Sequence, residues 1–317
     1  MLVLSFFVSF ILSMIVLHFS IKGLKLWQGK GQPIRENGPV SHFNKVGTPT
    51  MGGIIFIPLI AILLLIISNG KKEVLVIVAA LLGYGFIGFF DDFKKISSNQ
   101  TKGLRAKTRL ILEFFITFAL LYFIKDFKAD TLIKLPFNTT LNLVGFYYLL
   151  ASIAIVGSAN ATNLTDGLDG LLIGSIIIIL LAFLVILLRD FPLAVELQLA
   201  LSIIVGVAVS FLWYNCYPAK IFMGDTGSLP LGALIGVIAV LLGYELFLVV
   251  MGGLYVAEAL SVIIQVAYYK KTGKRIFLMA PLHHHFEKKG ILEPVLVVRL
   301  WIVHLLLVLL GFYLSGL

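Results

Sequence analysis

Long runs of apolar residues constrain the fold of this chain more than any other feature. A helix of about 20 residues crosses the roughly 30 Å hydrocarbon core of a membrane, and ten runs of about that length are present. Of the 317 residues, 60% are hydrophobic and only 13% are charged, against about a quarter in soluble domains. We therefore expect an all-α integral membrane protein, a single polytopic domain over residues 1–317 with about ten transmembrane helices. The runs lie near residues 2–20, 52–68, 74–90, 109–124, 143–158, 170–188, 193–213, 229–243, 244–268 and 296–316.

The two longest apolar stretches must each be divided. Residues 170–213 are interrupted by charged residues and a proline at 189–192. Residues 229–268 would form one helix of about 60 Å, twice the thickness of the hydrocarbon core, and Gly243 and Glu245 mark the expected turn. The first run lacks a basic leader and a small-residue cleavage site, so we expect a retained span rather than a cleaved signal.

The loops between the runs differ in charge according to their order. Most lysines and arginines fall in the odd-numbered loops, whereas the even-numbered loops are short and carry few. The positive-inside rule then places the odd loops in the cytoplasm and both termini outside. This assignment explains the net charge of +9 without nucleic acid as a partner. Among the even loops only 125–142 could hold a small structure. The odd loops are 21–51, 91–108, 159–169, 214–228 and 269–295.

Two adjacent carboxylates end the third run, in the segment FFDDFKK (89–95). Neighbouring residues on a helix point about 100° apart, so Asp91 and Asp92 are expected to divide their work. One carboxylate would act on substrate or metal, and the other would orient the first. The ordinary alternative is that both acids lie at a solvated helix end and have no such role. The basic segment KGLRAKTR (102–109) follows, and one of its lysines facing these acids would suit a phosphate.

Three other odd loops combine glycine with polar side chains. In RENGPVSHFNKVGTPTMGG (35–53), the glycines would let backbone N–H groups approach an anion. NATNLTDGLDG (160–170) has carboxylates and amides but no basic residue, and such oxygens suit Mg²⁺ or the hydroxyls of a sugar or base. In WYNCYPAKIFMGDTGSLPLG (213–232), Asp225 lies in a Gly-Asp-x-Gly turn, and Phe222 could stack on a base or anchor at the membrane interface.

The last odd loop contains three consecutive histidines, in APLHHHFEKKG (280–290). Consecutive residues cannot readily chelate one zinc ion together, so phosphate contact, acid–base work or orientation of another group is expected. The single cysteine, Cys216, excludes an intramolecular disulfide and is expected to be a small packing residue. Glu113, Glu245 and Glu258 lie in or near spans, where a carboxylate usually faces the interior of the bundle.

Taken together and in this order, five segments resemble the signatures of the phospho-N-acetylmuramoyl-pentapeptide transferases, a branch of the polyprenyl-phosphate sugar-1-phosphate transferases. The resemblance covers nearly the whole chain. The uninterrupted HHHFE favours this branch over the one that uses N-acetylhexosamine donors, whose histidine motif is spaced differently. The segments are GTPTMGG (47–53), FFDDFKK (89–95), NATNLTDGLDG (160–170), NCYPAKIFMGDTGSL (215–229) and APLHHHFE (280–287).

The resemblance implies a reaction and its partners. Undecaprenyl phosphate, a membrane lipid, would attack the sugar-proximal phosphate of UDP-N-acetylmuramoyl-pentapeptide, giving lipid I and UMP in peptidoglycan synthesis. The cofactor would be Mg²⁺, and the enzyme would lie in the bacterial inner membrane with its active site facing the cytoplasm. A homodimer is a candidate assembly, but the sequence does not fix the oligomeric state.

The resemblance also implies roles for individual residues. Asp225 would be the main Mg²⁺ ligand, with Asp166 and Asn163 completing the acidic site. Asp91 would deprotonate or position the lipid phosphate, with support from Asp92. Phosphates or the donor would be contacted by Lys45, Thr50 and Lys107. Phe222 would stack on uracil, with Asp169 and Asn215 nearby. The sugar–peptide end or the pyrophosphate would be contacted by His283, His284 and His285.

Two alternatives to this function stay open at the level of sequence. A UDP-N-acetylhexosamine-1-phosphate transferase would keep the chemistry and change the donor. An ion-coupled secondary transporter would place its carboxylates near the middle of the membrane on broken helices, whereas most acids of interest here lie at the ends of spans. The sequence also leaves open whether an aspartate forms a covalent phospho-intermediate or the lipid phosphate attacks directly.

Overall fold

The computed structural model describes residues 1–29, 45, 47–98, 103–126, 131–137 and 139–316. These residues form twelve α-helices and one two-stranded hairpin, β1 (Leu132–Leu135) and β2 (Thr139–Asn142). Within the predicted first loop (21–51), residues 30–44 and 46 lie outside the described residues. The helices are α1 (Leu2–Gln28), α2 (Gly53–Ile67), α3 (Lys72–Ser98), α4 (Ala106–Ile124), α5 (Tyr147–Thr165), α6 (Leu171–Asp190), α7 (Val195–Asn215), α8 (Asp225–Leu242), α9 (Phe247–Met251), α10 (Gly253–Thr272), α11 (Leu282–Lys288) and α12 (Glu293–Ser315).

Helices cover all the predicted apolar runs. In the described part of the chain, seven of them are long and apolar enough to cross a membrane: α1, α3, α5 with the short turn before it, α6, α7, α8 and α12. The apolar helix α2 is shorter, at 15 residues. The chain therefore folds as a largely helical membrane protein, as the hydropathy pattern predicts.

Both predicted divisions of the long apolar stretches are confirmed. Helix α6 ends at Asp190 and α7 begins at Val195. Helix α8 ends before Gly243, which takes the left-handed conformation (φ 72°) that favours glycine at a helix C-terminus. The run 244–268 is not one helix, however, because the chain breaks at Gly252 into the short α9 and the long α10.

Several helices extend beyond their predicted apolar runs. Helix α3 continues to Ser98, α5 continues to Thr165, and α8 begins at Asp225. Hydropathy marks the part of a helix that contacts lipid or core, whereas the backbone hydrogen bonding continues into polar sequence. Parts of three predicted loops are therefore helix ends, and their polar side chains stand on rigid backbone.

Helix α8 forms the centre of the bundle. In its apolar segment 89% of residues are buried, compared with 17% in α1 and 28% in α12. Helices in lipid gain little from hydrophobic exclusion, so close packing of small residues becomes the main attraction. A Cβ at Gly88 of α3 would overlap the backbone of Asp225, and one at Gly232 of α8 would overlap Thr162 of α5. These glycines let α3 and α5 approach α8 closely.

The hairpin closes one end of the bundle, which we call the hairpin end. Its strands pair antiparallel, with Leu132 opposite Asn142. Lys134 donates its N–H to Gly243 O (3.2 Å), and Phe137 donates to Leu314 O (3.0 Å). The predicted small structure within 125–142 is thus present and packs against the ends of α8 and α12. The polar helix ends described next lie at the opposite end, which we call the site end.

Candidate active site at the ends of four helices

Three aspartates converge at the site end and form what we call the carboxylate centre. Asp91 and Asp92 come from the last turns of α3, and Asp225 begins α8. One oxygen of each lies within 4.8 Å of the others. Asp91 and Asp92 are only 3% and 2% exposed. Carboxylates so close together repel each other unless a cation lies among them, so the centre is suited to bind one.

Asp92 joins α3 to the start of α8. Its Oδ2 accepts hydrogen bonds from the backbone N–H of Thr226 (2.9 Å) and from the Thr226 hydroxyl (2.8 Å). Helix N-termini expose N–H groups that stabilise a carboxylate. Gly224 adopts a φ of 72°, and a Cβ there would lie 2.5 Å from Asp92 Oδ2. The glycine in the Gly-Asp-x-Gly turn is therefore needed for this contact.

Asp91 has different partners from its neighbour. Its Oδ1 accepts the backbone N–H of Leu104 (2.7 Å), and a Cβ at Gly103 would overlap its carboxylate. Asp91 thereby ties the segment before α4 to the end of α3. The two adjacent aspartates thus have different hydrogen-bond partners, yet both contribute an oxygen to the same centre. The expected division of their work stays a prediction.

Lys95 is the cation that the structure places among these acids. Its Nζ lies 2.6 Å from Asp91 Oδ2, 3.4 Å from Asp92 Oδ1 and 3.0 Å from Asp225 Oδ2. Its side chain is 14% exposed. Lys95 brings one positive charge to three carboxylates. Arg109, described next, adds a second, but it is also paired with Glu113, so the formal charge of the group stays negative.

Arg109, on the first turns of α4, approaches Asp225 from the other side. Its Nη1 lies 3.5 Å from Asp225 Oδ2, and its Nη2 donates to Asn160 Oδ1 (2.8 Å). Its Nε lies 3.3 Å from the fully buried carboxylate of Glu113. Asn160 in turn donates to Glu113 Oε2 (2.6 Å). This network fixes the guanidinium beside Asp225.

Asn163 and Asp166 bring the end of α5 into the same site. Asn163 donates from Nδ2 to Asp225 Oδ1 (2.9 Å) and to Ser228 Oγ (2.9 Å). Asp166 caps the helix. Burial and the nearby charges of Asp225 and Asp92 raise the pKa of Asp166 to about 8. Burial is the main cause of this rise, and the charges of Asp225 and Asp92 add to it because Asp166 lies beside the carboxylate centre.

A second group, which we call the Lys45 cluster, contains Lys45, Asp169 and Glu293. Lys45 Nζ lies 2.7 Å from Asp169 Oδ1 and 2.6 Å from Glu293 Oε1. Burial lowers the pKa of Lys45, but the hydrogen bonds and charges of the two acids outweigh it and raise the pKa above its usual value. Lys45 therefore remains charged.

Asn215 and Asp169 connect this cluster to the loop between α7 and α8. Asn215 accepts the N–H of Gly170 (3.2 Å) and donates to Ile221 O (2.8 Å). Asp169 Oδ2 accepts the N–H of Ala219 (3.0 Å). Side chains thus hold the loop that leads to Phe222.

Phe222 is half-buried and pairs through its backbone with the segment before α2. Its N–H donates to Pro49 O (2.8 Å), and its carbonyl accepts the N–H of Gly52 (2.9 Å). Thr50 is buried in this segment, and the Gln28 side-chain amide bonds both its backbone N–H and its carbonyl (2.9 Å each). The glycine- and proline-rich stretch thus forms one wall beside Phe222.

The three histidines lie on α11 and differ in environment. His283 is fully buried, with Nδ1 3.3 Å from Glu258 Oε2 of α10, and a Cβ at Gly167 would overlap its ring. His284 lies 2.7 Å from Glu287, and burial lowers its pKa despite that acid. His285 Nδ1 accepts the N–H of Leu278 (3.1 Å). The motif therefore reaches the α5–α6 turn through His283.

The structure brings most, but not all, of the predicted residues together. Lys107 is exposed, two residues before Arg109 on α4, and its predicted contact with phosphates or donor stays a prediction. Among the described residues, Lys95 and Arg109 are the cations that contact the centre, and sequence reasoning did not single them out. A signal existed: Asp91 and Lys95, like Arg109 and Glu113, are four residues apart on one helix and so face each other.

Cys216 is exposed, so its expected packing role is wrong.

Comparison with known proteins adds the sequence family. The sequence model of the family described as Glycosyl transferase family 4 matches residues 74–243. A phospho-N-acetylmuramoyl-pentapeptide-transferase from Rhodopseudomonas palustris (strain BisA53) is 43% identical over 310 residues, covering 92% of this chain and 86% of the relative. The matched segment 74–243 contains the whole carboxylate centre.

Proposed function

Since this chain belongs to the phospho-N-acetylmuramoyl-pentapeptide transferase family, we propose that it joins the phosphosugar of UDP-N-acetylmuramoyl-pentapeptide to undecaprenyl phosphate. The products are lipid I and UMP, and the reaction is a step of peptidoglycan synthesis in a bacterial membrane. The observation that carries this function is the convergence of the three aspartates and Lys95 at one end of a membrane-spanning bundle. A site at a helix end can meet one lipid substrate and one water-soluble substrate.

The reaction exchanges one phosphoanhydride for another. An oxygen of the lipid phosphate forms a bond to the sugar-proximal phosphorus of the donor, and the bond from that phosphorus to the bridging oxygen breaks. UMP takes the bonding electron pair and leaves. The protein therefore has to hold two anionic groups against each other and stabilise charge on the departing phosphate.

The positive side chains of the site are placed for that task. Lys95 and Arg109 both lie beside Asp225, and both are anchored by acids on their own helices. Their charges would bind phosphate oxygens without first having to be ordered. Asp91 would orient the lipid phosphate and accept its proton, while Asp92 holds α3 against the start of α8. The excess negative charge of the carboxylate centre would repel the phosphate groups of both substrates until a cation is bound.

The residues present fit Mg²⁺ as that cation. Three carboxylates within 4.8 Å, with one lysine among them, offer hard oxygen ligands and uncompensated charge. Asp225, Asp91 and Asp92 would hold the ion, and Asp166 lies in the same negative environment. Bound Mg²⁺ supplies neutralisation of the pyrophosphate oxygens and stabilisation of the leaving phosphate.

The uridine end of the donor would bind at the Lys45 cluster and Phe222. The aromatic ring provides a stacking surface for uracil, and its position is fixed by backbone hydrogen bonds to Pro49 and Gly52. Thr50 lies in the wall beside this ring. Asn215 and Asp169 hold the loop that carries Phe222, and Asp169 also bonds Lys45. The histidines on α11, at the far side of the α5–α6 turn, would face the sugar–peptide end or the pyrophosphate.

In the membrane, the arrangement we propose has ten spans, both termini outside and the site end in the cytoplasm. The basic odd loops and the polar helix ends of the site support this orientation. Cys216 offers a test, because it is the only cysteine, is exposed, and ends α7 at the site end. A membrane-impermeant thiol reagent should label it in inside-out vesicles and not in right-side-out vesicles. Labelling only from the outside would reverse the orientation.

The function is tested by UMP release from the protein purified in detergent with undecaprenyl phosphate and Mg²⁺. Release from UDP-N-acetylmuramoyl-pentapeptide and none from UDP-N-acetylglucosamine is the expected result. Release only from the hexosamine donor would overturn the choice of substrate while keeping the chemistry. Release from neither donor by the folded protein would refute the function.

A further inference from the structure

The carboxylate of Glu293 holds together two parts of the site that are distant in sequence. Its Oε1 accepts a hydrogen bond from Lys45 Nζ (2.6 Å) and another from the backbone N–H of Asp169 (2.8 Å). The Glu293 side chain is only 5% exposed. A buried carboxylate is costly unless it is paired, so these two contacts account for its position at the first turn of α12.

The contacts continue from Glu293 toward Phe222. Asp169, whose N–H bonds Glu293, uses its own carboxylate to hold Lys45 through Oδ1 and the N–H of Ala219 through Oδ2. Ala219 lies in the loop that ends at Phe222, and Phe222 pairs with Pro49. Loss of the Glu293 carboxylate would therefore remove one of the two acid partners of Lys45 and loosen the support of that loop.

We propose that Glu293 is a positioning residue for the nucleotide donor, fixing Lys45 and the α5–α6 turn so that the uridine-binding wall is formed before the donor arrives. The inference rests on the proposed function, because it concerns the donor of that same reaction. Glu293 acts through Lys45 and Asp169 and does not touch the reacting atoms. Preformed sites bind more tightly because less ordering is required on binding.

An acid in the first turn of a helix also has an ordinary role, which is to stabilise the helix N-terminus. Two details separate Glu293 from that role. Its carboxylate bonds an N–H of another segment, that of Asp169, and a lysine distant in sequence. Glu196, in the first turn of α7 at the hairpin end, provides the matched case of a first-turn acid remote from the site.

The geometry predicts an effect on donor binding and little effect on the chemical step. Both described partners of Glu293 belong to the Lys45 cluster, whereas the carboxylate centre is held by Thr226, Leu104, Lys95 and Asn163. We expect Glu293→Ala to raise the donor KM about tenfold to a hundredfold, the usual worth of a hydrogen bond to a charged group. The kcat and the KM for undecaprenyl phosphate should change less than about twofold.

Two conservative variants distinguish positioning from charge. In Glu293→Gln the amide oxygen can accept both hydrogen bonds, because a single oxygen accepts both in the native protein. Its donor KM should stay within about fivefold of wild type, since a neutral bond is weaker than a charged one. Glu293→Asp keeps the charge but is shorter by one methylene, so it should behave like Glu293→Ala. It also replaces that variant if Glu293→Ala does not fold.

The experiment measures UMP release as a function of donor concentration for these variants, for Lys45→Ala and for the double variant, with Glu196→Ala as control. Titration calorimetry with UDP-N-acetylmuramoyl-pentapeptide, without the lipid, checks donor binding directly. Because Glu293 acts partly through Lys45, the rise in donor KM of the double variant should be clearly smaller than the product of the two single effects.

Independent, multiplicative effects of Lys45→Ala and Glu293→Ala would overturn the inference, as would a donor KM unchanged in both Glu293→Ala and Glu293→Asp. Glu293→Gln as poor as Glu293→Ala would also overturn it, because the charge itself would then be required. Failure of the proposed function looks different: the wild-type protein would release no UMP and bind no donor.

Discussion

The two ends of this helical bundle handle charge in opposite ways. At the site end, two buried aspartates and the half-buried Asp225 share Lys95, and Arg109 is already paired with a buried glutamate. At the hairpin end, Asp190 lies 3.3 Å from Lys134 and 3.8 Å from Arg189, and the Lys134 and Asp190 side chains are 36% and 27% exposed, so the acid there is fully compensated. Stability alone would favour the second arrangement, because buried unbalanced charge is costly. The imbalance at the site end is what the proposed binding of a cation and two phosphates would require.

The largest effect should follow removal of divalent cations. The excess negative charge of the carboxylate centre would then repel both phosphate groups. We expect EDTA to reduce UMP release at least about a hundredfold, and added Mg²⁺ to restore it. Circular dichroism should show the same helix content with and without EDTA. Full turnover in EDTA would show that the centre works without a metal.

Removal of Lys95 should have the next largest effect. The side chain contacts all three acids, so Lys95→Met removes the cation placed to meet a phosphate. We expect kcat to fall about a hundredfold, as when one fixed donor to a developing charge is lost. The matched control is Lys94→Met at the exposed neighbouring position, which should change kcat less than about twofold. Equal effects of the two variants would contradict a specific role for Lys95.

A smaller effect is expected from Phe222→Ala. Loss of an aromatic stacking partner costs about 1–3 kcal/mol per base, so the donor KM should rise roughly tenfold while kcat changes little. Phe222→Tyr keeps the ring and should retain a near-normal KM. If instead the ring only anchors the loop at the membrane interface, Phe222→Ala should lower the melting temperature and leave the donor KM unchanged.

The smallest effect should come from the hairpin end. Lys134→Ala removes an exposed ion pair with Asp190, which is worth less than about 1 kcal/mol. UMP release should be unchanged, and the melting temperature in detergent should fall only slightly. A large loss of activity would mean that the two ends are coupled through the bundle.

Much of the fold follows from hydropathy, because lipid imposes a simple rule on spans. The breaks at Asp190 and Gly243 are marked by charge and by glycine. The ends of α3 and α5 were harder to locate. Hydropathy falls where the chain leaves the apolar region, but the backbone of α5 stays helical through Asn160 and Asn163. Those asparagines therefore lie on a rigid helix end, where a loop was expected.

Some residues of the site could also be predicted from the sequence, and others could not. Acids at span ends are conspicuous because they are costly in an apolar setting, so Asp91, Asp92 and Asp225 could be identified from sequence. Lysines in a basic loop look alike, because the positive-inside rule accounts for all of them. Only helical spacing distinguishes Lys95 from its neighbours. Glu293 could not be found in this way, because its partners are 124 or more residues away in sequence.

The central claim is that the unbalanced acids of the site end perform the transfer, and it can be tested with one matched pair of substitutions. UMP release would be measured for Asp225→Asn and for Asp190→Asn at the hairpin end, with helix content as the check on folding. The account predicts loss of turnover by about a thousandfold in Asp225→Asn and near-normal turnover in Asp190→Asn. Normal turnover in Asp225→Asn, or equal loss in both variants, would contradict it.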